Sequence, residues 1–212
     1  MPRITALLFD IDGTLVDSND FHVKAWQEVL HDAGHDFTAA IIHDQVGKGG
    51  DNLVPTLLPD LSEEEQEAIA ERHGPRYRDL YIDQVRPFPA ARDLLARGKE
   101  EGFTVALATS ANPEELDHYL ELLDAKELVD LTTSKGDVEA TKPAPDIFTA
   151  ALEKAGVRSE EALVVGDTPY DVLAANRAGV QAIGLLSGGF SEDDLRAAGA
   201  LAVYKDAADL LA

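Results

Sequence analysis

The stretch Leu7-Leu8-Phe9-Asp10-Ile11-Asp12-Gly13-Thr14-Leu15-Val16-Asp17-Ser18 decides how the rest of the chain reads. An apolar run from Ile4 to Phe9 ends abruptly in two carboxylates spaced i and i+2, with a glycine and a threonine directly after. A run of that apolarity predicts a strand buried on both faces, as in a parallel sheet. Ionised carboxylates are costly to bury unpaired. Asp10 and Asp12 therefore belong at the exit of the sheet, where a cation or a substrate can meet them.

Outward from this strand, residues from about 18 to 86 read as helix only. Asn19 to Ala33 carries Phe21, Trp26, Val29 and Leu30 among polar residues, and Gly34 follows as a terminator. Thr38 to Val46 and Asp51 to Leu58 read as short helices around the tight turn Gly47-Lys48-Gly49-Gly50. Ser62 and Glu65 form a capping-box pair ahead of a helix running to about His73, and Pro75 to Val85 reads as another. After Arg86-Pro87-Phe88-Pro89 the pattern changes. Strands at 103–108, 128–132, 162–165, 181–186 and 201–204 alternate with helices at 90–101, 113–123, 144–155, 170–178, 191–198 and 207–211. Alternation of this kind predicts a parallel sheet with helices on both faces. The expected fold is a doubly wound α/β core, Rossmann-like, built from residues 1–17 and 88–212, with an all-helical cap at 18–87 inserted after the first strand.

Composition narrows the function. The 212 residues are 45% apolar, enough for a core, and contain no cysteine for disulfide or thiolate chemistry. Forty acidic against 18 basic residues give a net charge of −22. Binding to nucleic acid or to an anionic membrane needs clusters of Lys and Arg, and the sequence has none. No signal-peptide pattern precedes the first strand and no apolar run nears the roughly 20 residues that cross a bilayer. A cytoplasmic location is the expectation. Any anionic substrate has to be drawn by local cations against the overall field.

Ligands of open α/β sheets bind beyond the carboxyl ends of the strands. Asp10 and Asp12 end the first strand, Thr109-Ser110 ends the 103–108 strand, and Gly166-Asp167-Thr168-Pro169-Tyr170-Asp171 follows the 162–165 strand. Lys142 lies in Thr141-Lys142-Pro143-Ala144-Pro145, ahead of a helix. Taken singly, each of these is an ordinary cap, turn or loop residue. Together, four carboxylates at one rim repel one another unless a hard divalent cation sits among them, and oxygen ligands point to Mg2+. Mg2+ with Lys142 and Thr109 suits a phosphoryl group, whose shielded phosphorus a carboxylate can then attack. The second carboxylate is spaced to move the proton.

Asp10-Ile11-Asp12-Gly13-Thr14-Leu15, the strand into Thr109, Lys142-Pro143-Ala144-Pro145-Asp146 and Gly166-Asp167 with Asp171 resemble, in order and spacing, the four motifs of the haloacid dehalogenase superfamily. The resemblance covers the whole chain, and the helical insert is similar to the small cap of that superfamily's first subfamily. It implies that Asp10 is the nucleophile and Asp12 the general acid/base, with Thr109, Ser110 and Lys142 binding the phosphoryl group. It implies Mg2+ on Asp10, the backbone carbonyl of Asp12, Asp167 and Asp171. A dehalogenase of the superfamily needs neither the metal nor the second aspartate, so the motifs imply phosphoryl transfer. Phe21-His22-Val23-Lys24-Ala25-Trp26 resembles the cap entry of β-phosphoglucomutases, where a histidine at the His22 position helps gate the acid/base. Two departures count against a mutase: its phosphate-gripping arginine is replaced near Gly49, with Lys48 adjacent, and its specificity lysine has no clear equivalent, the corresponding position falling near His73. The expectation is a phosphatase of a small phosphorylated metabolite, with His22 and Lys48 as cap contacts and a phosphosugar mutase as the alternative. A phosphorylated signalling receiver fits less well, because its phosphoacceptor and acidic pair lie on different strands. A silent binding protein fits less well because every motif residue is present. Oligomeric state is open, and a monomer is admissible.

Overall fold

The computed structural model describes residues 3–212; residues 1 and 2, assigned above to the core, lie outside the described residues. In chain order the elements are β1 (Ala6–Phe9), α1 (Asn19–Asp32), α2 (Ala39–His43), α3 (Gly50–Leu57), α4 (Glu63–Ala70), α5 (His73–Leu80), α6 (Ala91–Glu100) and β2 (Thr104–Ala108). Then follow α7 (Pro113–Leu122), β3 (Leu131–Thr133), α8 (Asp146–Ala155), β4 (Ala162–Gly166), α9 (Pro169–Arg177), β5 (Gln181–Leu185), α10 (Glu192–Ala197), β6 (Ala202–Tyr204) and α11 (Ala207–Leu211).

The six strands form one parallel sheet in the order β3-β2-β1-β4-β5-β6. β1 lies inside the sheet, with Ala6 beside Thr104 on one flank and Ala162 on the other. Its side chains alternate between faces, as the two-residue period of a strand requires. Leu7 and Phe9 join a cluster with Leu95, Leu116 and Tyr119, and Ala6 and Leu8 join one with Phe148, Val172 and Leu195. Both faces are covered by helices, which is why the run is apolar without interruption. The doubly wound α/β expectation is met.

Helices α1 to α4 enclose a separate apolar cluster that includes Val23, Trp26, Val29, Leu30, Ile42, Leu53, Val54 and Ile69, while Tyr77 of α5 packs in the cluster beneath the sheet. The spacing of Val23, Trp26 and Leu30 along α1 is the helical repeat that sets one face inward. Ser62 caps α4 through the reciprocal Ser62–Glu65 bonds read from the sequence. Several boundaries differ from expectation by a few residues, and two of them have a plain local cause. α5 begins at His73, since Pro75 in the first helical turn removes no intrahelical bond, and it gives way to a 3-10 turn at Ile82–Gln84. β3 begins at Leu131, because the Leu128 and Val129 amides bond back to the Ala125 carbonyl in a turn, while their side chains pack on the core. Among the described residues no helix is long and apolar enough to cross a membrane.

Candidate active site

The carboxyl ends of β1, β2 and β4 meet at one edge of the sheet. The Asp10 amide donates to the Val165 carbonyl at 2.9 Å and so continues the β1–β4 ladder by one residue. Its carboxylate, almost completely buried, receives Lys142 Nζ on Oδ1 at 2.5 Å. The same ammonium lies 2.7 Å from Asp171 Oδ1. Asp171 is held for this by local chemistry at the start of α9. Its Oδ2 accepts from the Thr168 amide (3.0 Å) and hydroxyl (2.7 Å), while its own amide donates to Thr168 Oγ1. This is a capping box, in which each partner satisfies a helix-end donor.

Asp167, at the end of β4, is fully buried. Its oxygens accept from Thr14 Oγ1 at 2.7 Å and Asn19 Nδ2 at 3.0 Å. The chain passes this carboxylate closely at two glycines. Gly13 has φ 74°, and a Cβ there or at Gly188 would come within 2.2 Å or 1.7 Å of Asp167 Oδ2. Only glycine leaves the carboxylate room at both places.

Asp10, Asp167 and Asp171 thus present buried oxygens that all lie within 4.8 Å of one another, with one ammonium among three carboxylates. Burial pushes the Asp10 carboxyl up to about 7; Lys142 opposes this, and Asp171 and Asp12 add to it. Asp167 is pushed well above the usual carboxylate range, first by burial and then by the charges of Asp171 and Asp10. Lys142 is pushed the other way from a buried amine: burial would lower it, but Asp10 and Asp171 together raise it. A buried excess of negative charge with only oxygen donors fits a hard divalent cation such as Mg2+.

Asp12 stands apart from these three, where the sequence reading gathered four carboxylates around the cation. Its side chain turns toward the helical insertion. Oδ1 accepts from Ser18 Oγ at 2.6 Å and Tyr119 Oη at 2.9 Å, and lies 3.0 Å from His22 Nε2. Burial opposes ionisation of Asp12, yet His22, Ser18 and Tyr119 together hold its carboxyl below the usual range. The backbone carbonyl of Asp12, the group implied as a ligand, is a separate atom from this carboxylate. His22 stacks on Tyr77, ring centres 3.8 Å apart, and its Nδ1 lies 3.4 Å from His73 Nε2. Trp26 stacks on His73, ring centres 4.1 Å apart. Burial disfavours charge on both imidazoles; the Asp12 carboxylate outweighs this at His22 and raises it, whereas His73, next to His22, is pushed well down.

A cavity of about 640 Å³ opens over this edge, lined from the sheet by Asp10, Asp12, Thr109, Ser110 and Lys142, and from the insertion by Lys48 and other residues. Thr109 is buried, and its Oγ1 accepts from the Ala111 amide at 3.0 Å. The Ser110 hydroxyl is buried without a hydrogen-bond partner among the described residues. Lys48 reaches the cavity wall, but its ammonium bonds Gln45 Oε1 at 2.6 Å and Thr56 Oγ1 at 3.3 Å and lies 4.6 Å over the Tyr170 ring. The insertion also grips the segment that carries Lys142. Thr141 Oγ1 accepts from the Gly49 amide and Asn52 Nδ2 and donates to Asp51 Oδ1 at 2.5 Å.

The motif residues Asp10, Thr109, Ser110, Lys142, Asp167 and Asp171 therefore converge, and His22 reaches Asp12. The supports Thr14, Ser18, Asn19, Tyr77, Tyr119 and Thr141 were not singled out from the sequence. Thr14 and Ser18 lie in the opening stretch, so a search for partners of the aspartates could have found them. Tyr77 and Tyr119 carry no local signal, since a tyrosine on an amphipathic helix reads as core.

The sequence pattern of the haloacid dehalogenase-like hydrolase family matches residues 7–185. A solved structure described as a hydrolase from Pseudomonas syringae is 36% identical, covers 98% of this chain and 96% of its own, and superposes with a TM-score of 0.91. A phosphoglycolate phosphatase of Aquifex aeolicus is 29% identical over 82% of this chain and 81% of its own. The pyrophosphatase PpaX of Halalkalibacterium halodurans is 27% identical over 84% and 82% respectively.

Proposed function

The chain belongs to the haloacid dehalogenase-like hydrolase family, and from that premise we propose a Mg2+-dependent phosphatase that releases phosphate from a small phosphorylated metabolite through an aspartyl-phosphate on Asp10. Phosphatase is the activity class of its named relatives. The observation that carries the reading is the buried group of Asp10, Asp167 and Asp171 around Lys142 at the sheet edge, opening on a cavity lined by Thr109 and Ser110.

Asp10, Asp167 and Asp171, with the backbone carbonyl of Asp12, would hold Mg2+, whose charge would offset that of the carboxylates and of the phosphoryl group. Lys142 fixes one oxygen of Asp10 and supplies positive charge beside the phosphoryl group. The other Asp10 oxygen attacks phosphorus as the ester P–O bond breaks. Thr109 and Ser110 hold the phosphoryl oxygens; the unpaired hydroxyl of Ser110 supports that role. Asp12 gives its proton to the leaving oxygen, then takes one from the water that cleaves the acyl phosphate. Residues 18–87 act as a cap over the site, with His22 acting on Asp12 and Lys48 meeting the substrate from the cavity wall.

Purified protein with Mg2+ should release inorganic phosphate from members of a broad phosphoester panel. Asp10→Asn should abolish turnover, and chelation of the metal should do the same reversibly. A wild-type protein inert on the whole panel overturns the reading. Conversion of β-glucose 1-phosphate to glucose 6-phosphate without phosphate release replaces it with the mutase.

A further inference from the structure

Among the described residues, all three hydrogen bonds to the Asp12 carboxylate fall on one oxygen, Oδ1. Ser18 and His22 come from the entrance and first helix of the insertion, whereas Tyr119 comes from α7, which packs against the sheet. The Tyr119 ring is fully buried in the same apolar cluster as Phe9, Leu116 and Leu123. Its hydroxyl oxygen lies 2.5 Å from that of Tyr77 on α5, also fully buried. A phenol has one proton to give. Oδ1 is an acceptor both when Asp12 is ionised and when its proton sits on Oδ2, so the Tyr119 proton goes to Asp12 and the Tyr77 proton goes to Tyr119. The order of donors is thereby fixed as Tyr77 to Tyr119 to Asp12.

We propose that Tyr119, seated by Tyr77, is a positioning residue for the proton transfers of Asp12: it pins Oδ1 as the accepting oxygen and so assigns the mobile proton to Oδ2. The inference rests on the phosphatase reading and adds to it a donor that the motifs do not contain. In the first step the Asp10–phosphorus bond forms, the bond from phosphorus to the leaving oxygen breaks, and the Oδ2 proton moves to that oxygen. Asp12 becomes a carboxylate, and the Tyr119 hydroxyl stabilises the charge as it develops, because a bond to an ionised acceptor is the stronger one. In the second step water forms its bond to phosphorus, the Asp10–phosphorus bond breaks, and the water proton passes to Oδ2. Tyr119 keeps its own proton throughout. Burial and the nearby Asp12 charge push both phenols up, so both remain neutral donors.

A fixed donor to the acid matters only when the leaving oxygen needs a proton, and this separates positioning from packing. In Tyr119→Phe, kcat/KM with Mg2+ should fall about tenfold or more for glycerol 2-phosphate, the loss expected for a hydrogen bond to a charged group. For 4-nitrophenyl phosphate, whose phenolate leaves unprotonated, the fall should stay under about threefold, because general acid assistance contributes little there. Tyr77→Phe should give a smaller loss with the same preference, and it carries the test if Tyr119→Phe does not fold. In an Asp12→Asn background Tyr119→Phe should cost nothing further, since residues acting through one group are not additive. Equal losses on the two esters, no loss on either, or a full further loss in the Asp12→Asn background would each overturn the proposal and leave the phosphatase reading intact. Wild-type protein that cleaves neither ester would instead overturn the phosphatase reading on which it rests.

Discussion

At Asp167 the requirements of folding and of chemistry oppose each other most directly. Among the described residues it is a fully buried carboxylate with two neutral donors and no cation of its own, beside two other carboxylates. Burial without a paired charge destabilises a fold, and one lysine cannot offset three acids. Asp167→Asn should therefore raise the melting temperature of the metal-free protein by a few degrees, roughly what 1 kcal/mol gives in a domain of this size. The same variant should lose most of the rise that Mg2+ produces in the wild type, because ligand stabilisation depends on differential binding to the folded state. Thermal unfolding with and without Mg2+ checks both; a lower metal-free midpoint would show that Asp167 supports the fold directly. The carboxylates were legible in the sequence because an apolar strand ending in acid is a local pattern. The direction in which Asp12 turns was not, because Ser18, His22 and Tyr119 converge on it from three places and only Ser18 is near it in the chain.

Between elements, the connection that most concerns the site is that from the N-terminus of α3 to the loop before α8. Thr141 is buried and bonded to Gly49, Asp51 and Asn52, so one side chain ties the insertion to the residue beside Lys142. Thr141→Val keeps the shape but strands these donors and acceptors, which costs about 1–3 kcal/mol when a buried polar group loses its partner. Denaturant titration should show a lower midpoint by that amount with the slope unchanged; an unaffected midpoint would mean that water replaces the lost bonds. The helices themselves were readable from period and caps, as the Ser62–Glu65 box shows. The limits of β3 were not, since three residues at a sheet edge leave too short a pattern. The role of Thr141 was not legible either, because a hub made of contacts from residues 49–52 has no trace in its own neighbours along the chain.

For the whole molecule, a net charge of −22 acts as self-repulsion in the folded state. Salt shortens its reach, to about 10 Å at 0.1 M ionic strength. Raising NaCl from about 0.05 to 0.3 M should increase the melting temperature, whereas a fold resting on its surface ion pairs would lose stability. Fold class was legible at this scale because alternating strands and helices admit few topologies; the order of the strands was not, since the handedness of the crossovers prunes the arrangements without choosing one. That same order has a consequence during synthesis. β1 is made first and occupies the interior of the sheet, but its flanking partners are β2 and β4, and Ala6 must wait for Thr104 and then for Ala162. The nascent chain therefore holds an unpaired apolar segment while the whole insertion, which has its own apolar cluster, emerges behind it. The insertion can condense as a unit in that interval. It would shorten the effective loop that β1 has to close and keep the strand's entrance near the place where its partner will arrive.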